Sequence, residues 1–503
     1  MTRYRFRAIS SVLTVSAAVL VPWHPSPSTR AATAQTSPPE FARDVQPIVA
    51  QHCVSCHRDG GPAPFALATY RDIEKRAAQI AQITKAGYMP PWKPDSHGDL
   101  VGENRLTARD ISVLQAWSDR PLPRGANHAL RPSSTIWSKN EPEKFELGKP
   151  DAVLTPAAPF EIPASGRDFY RCFLLRTHFA EDKYLAAVVY QPGNQSVSDH
   201  ALEYIDTWHK VRFLNPAGTG GSFTVQRSAA GLDPAMLVGG WGIATPTVRF
   251  PSGSGILLPR GADIVVQVHY HSTGKPEIDQ PRVLLYFCRG PVTSAVHVAP
   301  VLAQNLRLLP RFSDIHVGGQ SPVVSDITIL GALPYMRRRG VGIALEALLP
   351  DKSRKTLLSI PQWDFDWVGD YRYRKPVHVP AGSLLTMVAG FNNAAPAGQS
   401  PSEDRLVTWG DMPDDENAVA YVFYTTGPLK AHPASRVPIN RRNTPSSCVP
   451  GIPALGAPSQ AAMHRILLQM FDTNHDGTIG KSEYIVMRGY FRGGMPSMAG
   501  MEM

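Results

Sequence analysis

The chain has 503 residues, 43% of them apolar, and a formal charge of +9. That length exceeds what one hydrophobic core serves, so three or four domains are expected. Arg3, Arg5, Arg7 and Arg30 lie in the first 34 residues with no acidic residue among them. Setting those four aside lowers the charge from +9 to +5, too mild an excess to argue for nucleic acid.

Residues 1–34 combine a basic start, an apolar run from Ala8 to Val21 and the small residues Ala32-Thr33-Ala34. This pattern predicts an export signal, too short to span a bilayer comfortably. No other stretch approaches 18 apolar residues, so the mature chain is expected to have no transmembrane span and to reside in the periplasm or outside the cell.

Cys53-Val54-Ser55-Cys56-His57 is the stretch whose chemistry is most nearly fixed by residue type and spacing. Two thiols separated by two residues can each form a thioether with a haem vinyl group, and the imidazole that follows is placed to ligate the iron. A redox dithiol needs no following His, and no second Cys pair completes a four-thiolate zinc site. The reading is c-type haem, held covalently by Cys53 and Cys56 with His57 as one axial ligand. Met89, 32 residues after His57 in the Pro-stiffened Gly87-Tyr88-Met89-Pro90-Pro91-Trp92, is the expected sixth ligand.

Residues 40–125 resemble a small cytochrome c. Apolar spacing predicts an amphipathic helix over Phe41 to Gln51 and a second over Asp72 to Thr84. Thr107-Ala108-Arg109-Asp110 supplies a capping box for a third, through Ile111, Leu114 and Trp117.

From Leu147 to Thr426 the pattern changes to β-branched and aromatic runs such as Tyr184–Tyr190, Asp263–Tyr270 and Val283–Phe287, parted by Gly, Pro and Asn. About 280 residues of this kind predict two antiparallel β-sandwiches rather than one. Cys172, Cys288 and Cys448 remain after the haem pair. In an oxidising compartment a Cys172–Cys288 bridge is the expectation, leaving Cys448 alone in a loop.

Several strings in this region carry a family resemblance. They are Gln191-Pro192-Gly193-Asn194, Asp199-His200-Ala201-Leu202, Leu258-Pro259-Arg260-Gly261-Ala262-Asp263 and Gln267-Val268-His269-Tyr270-His271 in the first half. Leu333–Gly340, Trp363–Trp367, Phe391-Asn392-Asn393 and Trp409-Gly410-Asp411 follow in the second. Together they resemble the copper type II, ascorbate-dependent monooxygenases, the group of peptidylglycine alpha-hydroxylating monooxygenase and dopamine beta-monooxygenase, with bacterial relatives fused to cytochrome c. The resemblance implies two jelly-roll-like domains, 145–295 and 296–426, and two coppers. One, held by three imidazoles, relays electrons; the other, held by two imidazoles and a thioether, activates oxygen.

Carried over residue by residue, the first site matches at His200 and His269, with Asp199 where relatives have a second His. His271 is placed to substitute. At the second site the expected His-Met-His reads Tyr335-Met336-Arg337 and the thioether position reads Asn417. A fixed cation at Arg337 opposes a metal ion there. Loss of the oxygen-activating copper is therefore expected, with rescue by Met336 or Met412 lacking imidazole partners.

Residues 427–460 read as a Pro-rich tether. Residues 461–492 carry an EF-hand loop, with calcium oxygens at Asp472, Asn474, Asp476, Thr478 and Glu483 and the turn at Gly477. Residues 493–503 end in a Met-containing tail. The expectation is an exported haem redox protein with a redox partner. The alternative is an active copper monooxygenase hydroxylating a small organic substrate.

Overall fold

A computed structural model describes residues 38–59, 61, 63–119, 147–214, 221–224, 232–243, 246–394, 405–410 and 415–426. The expected export signal, Cys448, Met412, the tether, the calcium loop and the Met-containing tail lie outside the described residues. The described residues from Pro39 on belong to one unit, and they are mostly β-sheet.

The first part is helical. A π-turn over Phe41–Val45 runs into α1 (Gln46–His52), and α2 (Tyr70–Glu74), α3 (Ala77–Lys85) and α4 (Ala108–Ser118) follow. Thr107 and Asp110 form the capping box expected for α4, and Thr69 with Asp72 forms another that starts α2. The helix expected over Asp72 to Thr84 is broken at Lys75-Arg76 into α2 and α3. Phe41, Tyr70 and Trp117 form the centre of this core, with Phe41 meeting Tyr70 edge-on at 4.8 Å between ring centroids and Trp117 at 5.8 Å. Burying three such rings contributes several kcal/mol, on the order of 1.5–3 kcal/mol each.

A strap then leaves the helices for the β region. Trp92 packs edge-on against Tyr371 at 5.7 Å. Asp95 N donates to Ser359 O, Val101 N to Arg372 O and Arg374 N to Asp99 O. Asn104 turns back to the end of α1, where its Nδ2 donates to His52 O and its Oδ1 lies 2.6 Å from His52 Nδ1.

The first β half contains β1 (Ala152–Leu154), β2 (Phe160–Ile162), β3 (Phe169–Arg176), β4 (Lys183–Gln191), β5 (Ser198–Asp206) and β6 (Ser222–Thr224). It continues through β7 (Leu237–Gly242), β8 (Ser254–Leu258), β9 (Asp263–Tyr270), β10 (Glu277–Asp279) and β11 (Arg282–Phe287), with the short α5 (Lys210–Leu214) after β5. The second half has β12 (Ser294–Leu302), β13 (Arg307–Leu308), β14 (Ile315–Pro322), β15 (Ile327–Met336) and β16 (Gly340–Leu348). β17 (Arg354–Ile360), β18 (Tyr371–Val379), β19 (Leu384–Phe391), β20 (Val407–Thr408) and β21 (Ala418–Thr426) complete it. One five-stranded sheet runs β6-β3-β9-β5-β7, a four-stranded sheet runs β14-β19-β16-β17, and an eight-stranded sheet runs β1-β11-β4-β8-β12-β21-β15-β18.

The eight-stranded sheet crosses between the halves, because β12 pairs parallel with β8 through Ser294 and Ala295 and antiparallel with β21. The boundary expected at 295/296 thus falls inside a strand, and both halves feed one hydrophobic core. The Cys172–Cys288 bridge is corrected: both are free thiols. Cys172 is fully buried on β3 of the five-stranded sheet, whereas Cys288 follows β11 of the eight-stranded sheet and its Sγ donates to Ser254 O.

Candidate functional site

Two clusters gather most of the residues that the sequence singles out. In the first, α1 delivers Cys53 as its terminal cap, with Cys53 N donating to Val49 O. His57 N and Cys56 N both donate to Cys53 O, which winds the two thiols and the imidazole onto one short turn. Gly61 is required here, since a Cβ on it would stand 2.3 Å from Cys56 O. Both thiols are free, and burial pushes Cys53 up to about 12 and Cys56 upward as well. His57 Nδ1 lies 3.0 Å from Phe65 O, so it donates to that carbonyl and leaves Nε2 available to a ligand. The His57 ring rests on Phe65 at 4.7 Å. Burial, aided by Arg76, lowers the His57 pKa and keeps the ring neutral. Met89 is half-buried on the loop just beyond α3.

The second cluster is built by β5 and β9, antiparallel neighbours whose register pairs His200 with His269. A bulge at Asp199 interrupts that ladder between Ser198 and His200, and such an extra residue re-aims a side chain. Asp199 Oδ1 accepts from His271 Nδ1 at 2.7 Å, and Oδ2 lies 2.8 Å from His269 Nδ1, within pairing distance though off the N–H line. Burial alone would raise the Asp199 carboxyl, but these two imidazoles outweigh it and hold the carboxylate below its usual range. Asp199 therefore orients His269 and His271, in the manner of a carboxylate behind a ligating imidazole. His271 gives its Nδ1 to Asp199, which leaves Nε2 as its remaining ligating nitrogen.

His200 is 1% exposed, stacks on His269 at 4.9 Å, and has no hydrogen-bond partner at either ring nitrogen. Burial first, then the neighbouring His269, Arg337 and Arg338, pushes its pKa well below the ordinary value, so the ring is neutral. Phe365 covers both imidazoles, 5.1 Å from His200 and 5.0 Å from His269. Its one-turn 3-10 helix, Phe365–Trp367, is pinned by Trp363 Nε1 donating to Arg337 O and by Asp364 pairing with Lys93 of the strap at 2.9 Å.

Tyr335, Arg337 and Asn417 gather against the same place. Tyr335 is 5.7 Å from His200 between ring centroids and its hydroxyl lies 2.9 Å from that of Tyr170. Burial raises the pKa of both phenols. The backbone N–H groups of Arg337 and Asn417 both donate to Glu416 Oε1, and Asn417 Nδ2 donates to Gly410 O. The Arg337 guanidinium, 4% exposed as a residue, lies over Tyr170 and donates to Asp415 O. A cavity of about 140 Å³ opens between the two halves here, lined among others by Asp168, Tyr170, His269, Arg337, Phe365 and Glu416.

The residues do not fit an oxygen-activating copper at the second position. At the positions the resemblance assigns, Tyr335, Arg337 and Asn417 offer a phenol, a guanidinium and an amide, and Met336 is fully buried. At the first position His200 and the Nε2 of His269 are imidazole donors suited to copper, yet among the described residues no three His, Cys, Asp or Glu side chains converge as a ready metal site. Sequence reasoning missed Tyr170, Phe365, Asp168 and Glu416 as parts of this pocket. Only Phe365 had a signal, since it sits inside the Trp363–Trp367 string.

No family model matches the chain, and no curated protein matches it. Among solved structures, PNGF-II in a P21 crystal form is 11% identical with a TM-score of 0.22, covering 56% of this chain; the chain spans 62% of that structure's length. Peptide N-glycanase F is 12% identical with a TM-score of 0.20 over 56% of this chain and 91% of that one. The infectious bursal disease virus VP2 subviral particle is 10% identical with a TM-score of 0.14 over 68% and 93%. Likeness this low carries no argument about fold or activity. No helix among the described residues is long and apolar enough to cross a membrane.

Proposed function

We propose that the chain is an exported c-type haem redox protein carrying a degenerate copper monooxygenase-like scaffold, used for electron transfer and metal binding. The carrying observation is the turn at 53–57, where two unbridged thiols stand beside an imidazole whose Nδ1 is held by the Phe65 carbonyl. With Nδ1 donating to that carbonyl, Nε2 is left free to take a ligand. Cys53 and Cys56 would hold the haem, His57 and Met89 its iron, and the group supplies a one-electron couple when bound. In this reading residues 40–125 are a cytochrome c-like module.

His200 and His269 would hold at most one copper ion, with Asp199 orienting His269. Arg337 and Arg338 act on His200 itself, so they weaken the hold on that ion and oppose a second one. The orphaned nitrogens of His200 support a group at this place, because a buried unpaired imidazole costs about 1–3 kcal/mol per nitrogen. The loop 472–483 would add calcium, and the electron would leave to a redox partner protein.

One preparation of full-length protein tests this by haem spectroscopy together with copper and calcium stoichiometry. The expected result is one haem, no more than one copper, and no oxygen consumption driven by ascorbate. Two coppers with ascorbate-driven turnover would instead establish the hydroxylating enzyme.

A further inference from the structure

Away from that pocket, a second polar cluster is buried where the two β halves meet the strap. Glu203 on β5 is 1% exposed and neither of its carboxylate oxygens has a hydrogen-bond partner. Asp370, just before β18, is 8% exposed; its Oδ2 accepts from Arg372 Nη2 at 2.6 Å while Oδ1 has no partner. Arg372 is 9% exposed, with its guanidinium 3.6 Å from the Phe423 ring centroid and 4.9 Å from that of Phe250. Its Nη1 is also without a partner.

Glu203, Asp370 and Arg372 line a cavity of about 40 Å³ together with Tyr190, Gly239 and Trp241. At roughly 10–15 Å³ for each water-sized sphere, that space holds a guest of about three such spheres. Gly239 keeps it open, since a Cβ there would come within 3.0 Å of Glu203 Oε2. Burial, then Asp370, pushes the Glu203 carboxyl well above its ordinary pKa, and burial raises that of Asp370. With both carboxyls ionised, two carboxylates face one guanidinium and the cluster carries a net charge of −1, which burial disfavours unless a cation joins it. Among these three side chains, three carboxylate oxygens lack a donor or a cation and the Arg372 Nη1 amino group lacks an acceptor.

We propose that this cavity is a binding site for one small monovalent cation, an alkali ion or an ammonium group, held by Glu203 Oε1 and Oε2 and Asp370 Oδ1. Hard oxygen ligands suit such ions. A single positive charge neutralises the cluster, whereas a divalent ion would leave it charged beside Arg372. The place also gives the ion a role. Arg372 O accepts from Val101 N of the strap, and Gly102 packs so closely on Pro246, at the cavity wall, that a Cβ would stand 2.5 Å from its ring. Occupancy of the cavity therefore braces the seat on which the helical part is docked.

The test is thermal unfolding of the full chain in choline chloride, with sodium, potassium, ammonium or methylammonium chloride substituted at constant ionic strength and calcium chloride as a divalent control. The expected result is a saturable rise in Tm with at least one small monovalent cation, absent in Glu203→Gln. Gly239→Ala, which narrows the cavity and keeps both carboxylates, is expected to weaken the response at least tenfold in half-saturating concentration. Equal Tm in all salts would overturn the site, as would an unchanged response in both variants. A stronger saturable response to calcium would overturn the monovalent assignment. Should Glu203→Gln fail to fold, the Gly239→Ala series and calorimetric titration of wild type with sodium, potassium and ammonium decide alone, and a blank with all three overturns the site.

Discussion

His200→Phe puts the most pressure on the reading of the paired imidazoles. The His200 ring is packed from several sides, by His269 at 4.9 Å, Phe365 at 5.1 Å and Tyr335 at 5.7 Å, and neither nitrogen finds a hydrogen-bond partner in the protein. A phenyl ring keeps those contacts and removes two buried polar atoms. Each unsatisfied group costs about 1–3 kcal/mol, so with some loss to repacking the variant should gain about 2 kcal/mol in chelated buffer. The assay is urea unfolding of full-length wild type and variant after chelation, followed by fluorescence, then repeated with added copper. Copper should stabilise wild type by mass action and leave the variant unmoved. A Phe variant less stable than wild type by 1 kcal/mol or more without metal would show that the nitrogens are satisfied, and the argument for a group at this place would fall.

Alkylation of the denatured chain counts thioethers directly: of the five cysteines, Cys172, Cys288 and Cys448 should label and Cys53 and Cys56 should not, so five labels after reduction would exclude covalent haem. His57→Ala should abolish a normal low-spin spectrum, and Met89→Ala should shift the spectrum and lower the potential; an unchanged Met89→Ala spectrum removes that thioether from the iron. For Glu203 the folded pKa is raised, so its contribution to stability is fully present below its unfolded value, 4.5, and is lost as pH rises through the folded value. In choline buffer, with Asp370 and Arg372 facing it in both proteins, wild type should lose stability relative to Glu203→Gln as pH rises above 4.5, and parallel curves would contradict this.

Much of the local architecture was readable from residue order, because it is set by neighbours a few positions apart. The capping box at Thr107 and Asp110 placed α4, and the alternation around 184–190, 263–270 and 283–287 placed β4, β9 and β11 to within a residue or two. The break at Lys75-Arg76 was not readable, since neither Gly nor Pro marks it. Nor was the continuity of the eight-stranded sheet through β12, which depends on a parallel contact between Ser254 and Ser294. The same limit hid most of the pocket. His200 and His269 stood out by type, but the bulge that frees Asp199 to hold His269 and His271 is a property of strand pairing. Tyr170 meets Tyr335 across 165 positions of sequence, and no periodicity reports that.

The strap from Trp92 to Asn104 is riveted at both ends, by backbone bonds to Ser359, Arg372 and Arg374 on one side and by Asn104 on His52 on the other. Under the proposed reading, a carrier fastened by these bonds would stay in place instead of swinging between a loading and an unloading position. Charge would then pass inside the molecule across a gap of fixed width, at a rate governed by distance and driving force and indifferent to solvent viscosity. Any outside donor or acceptor would have to come to it.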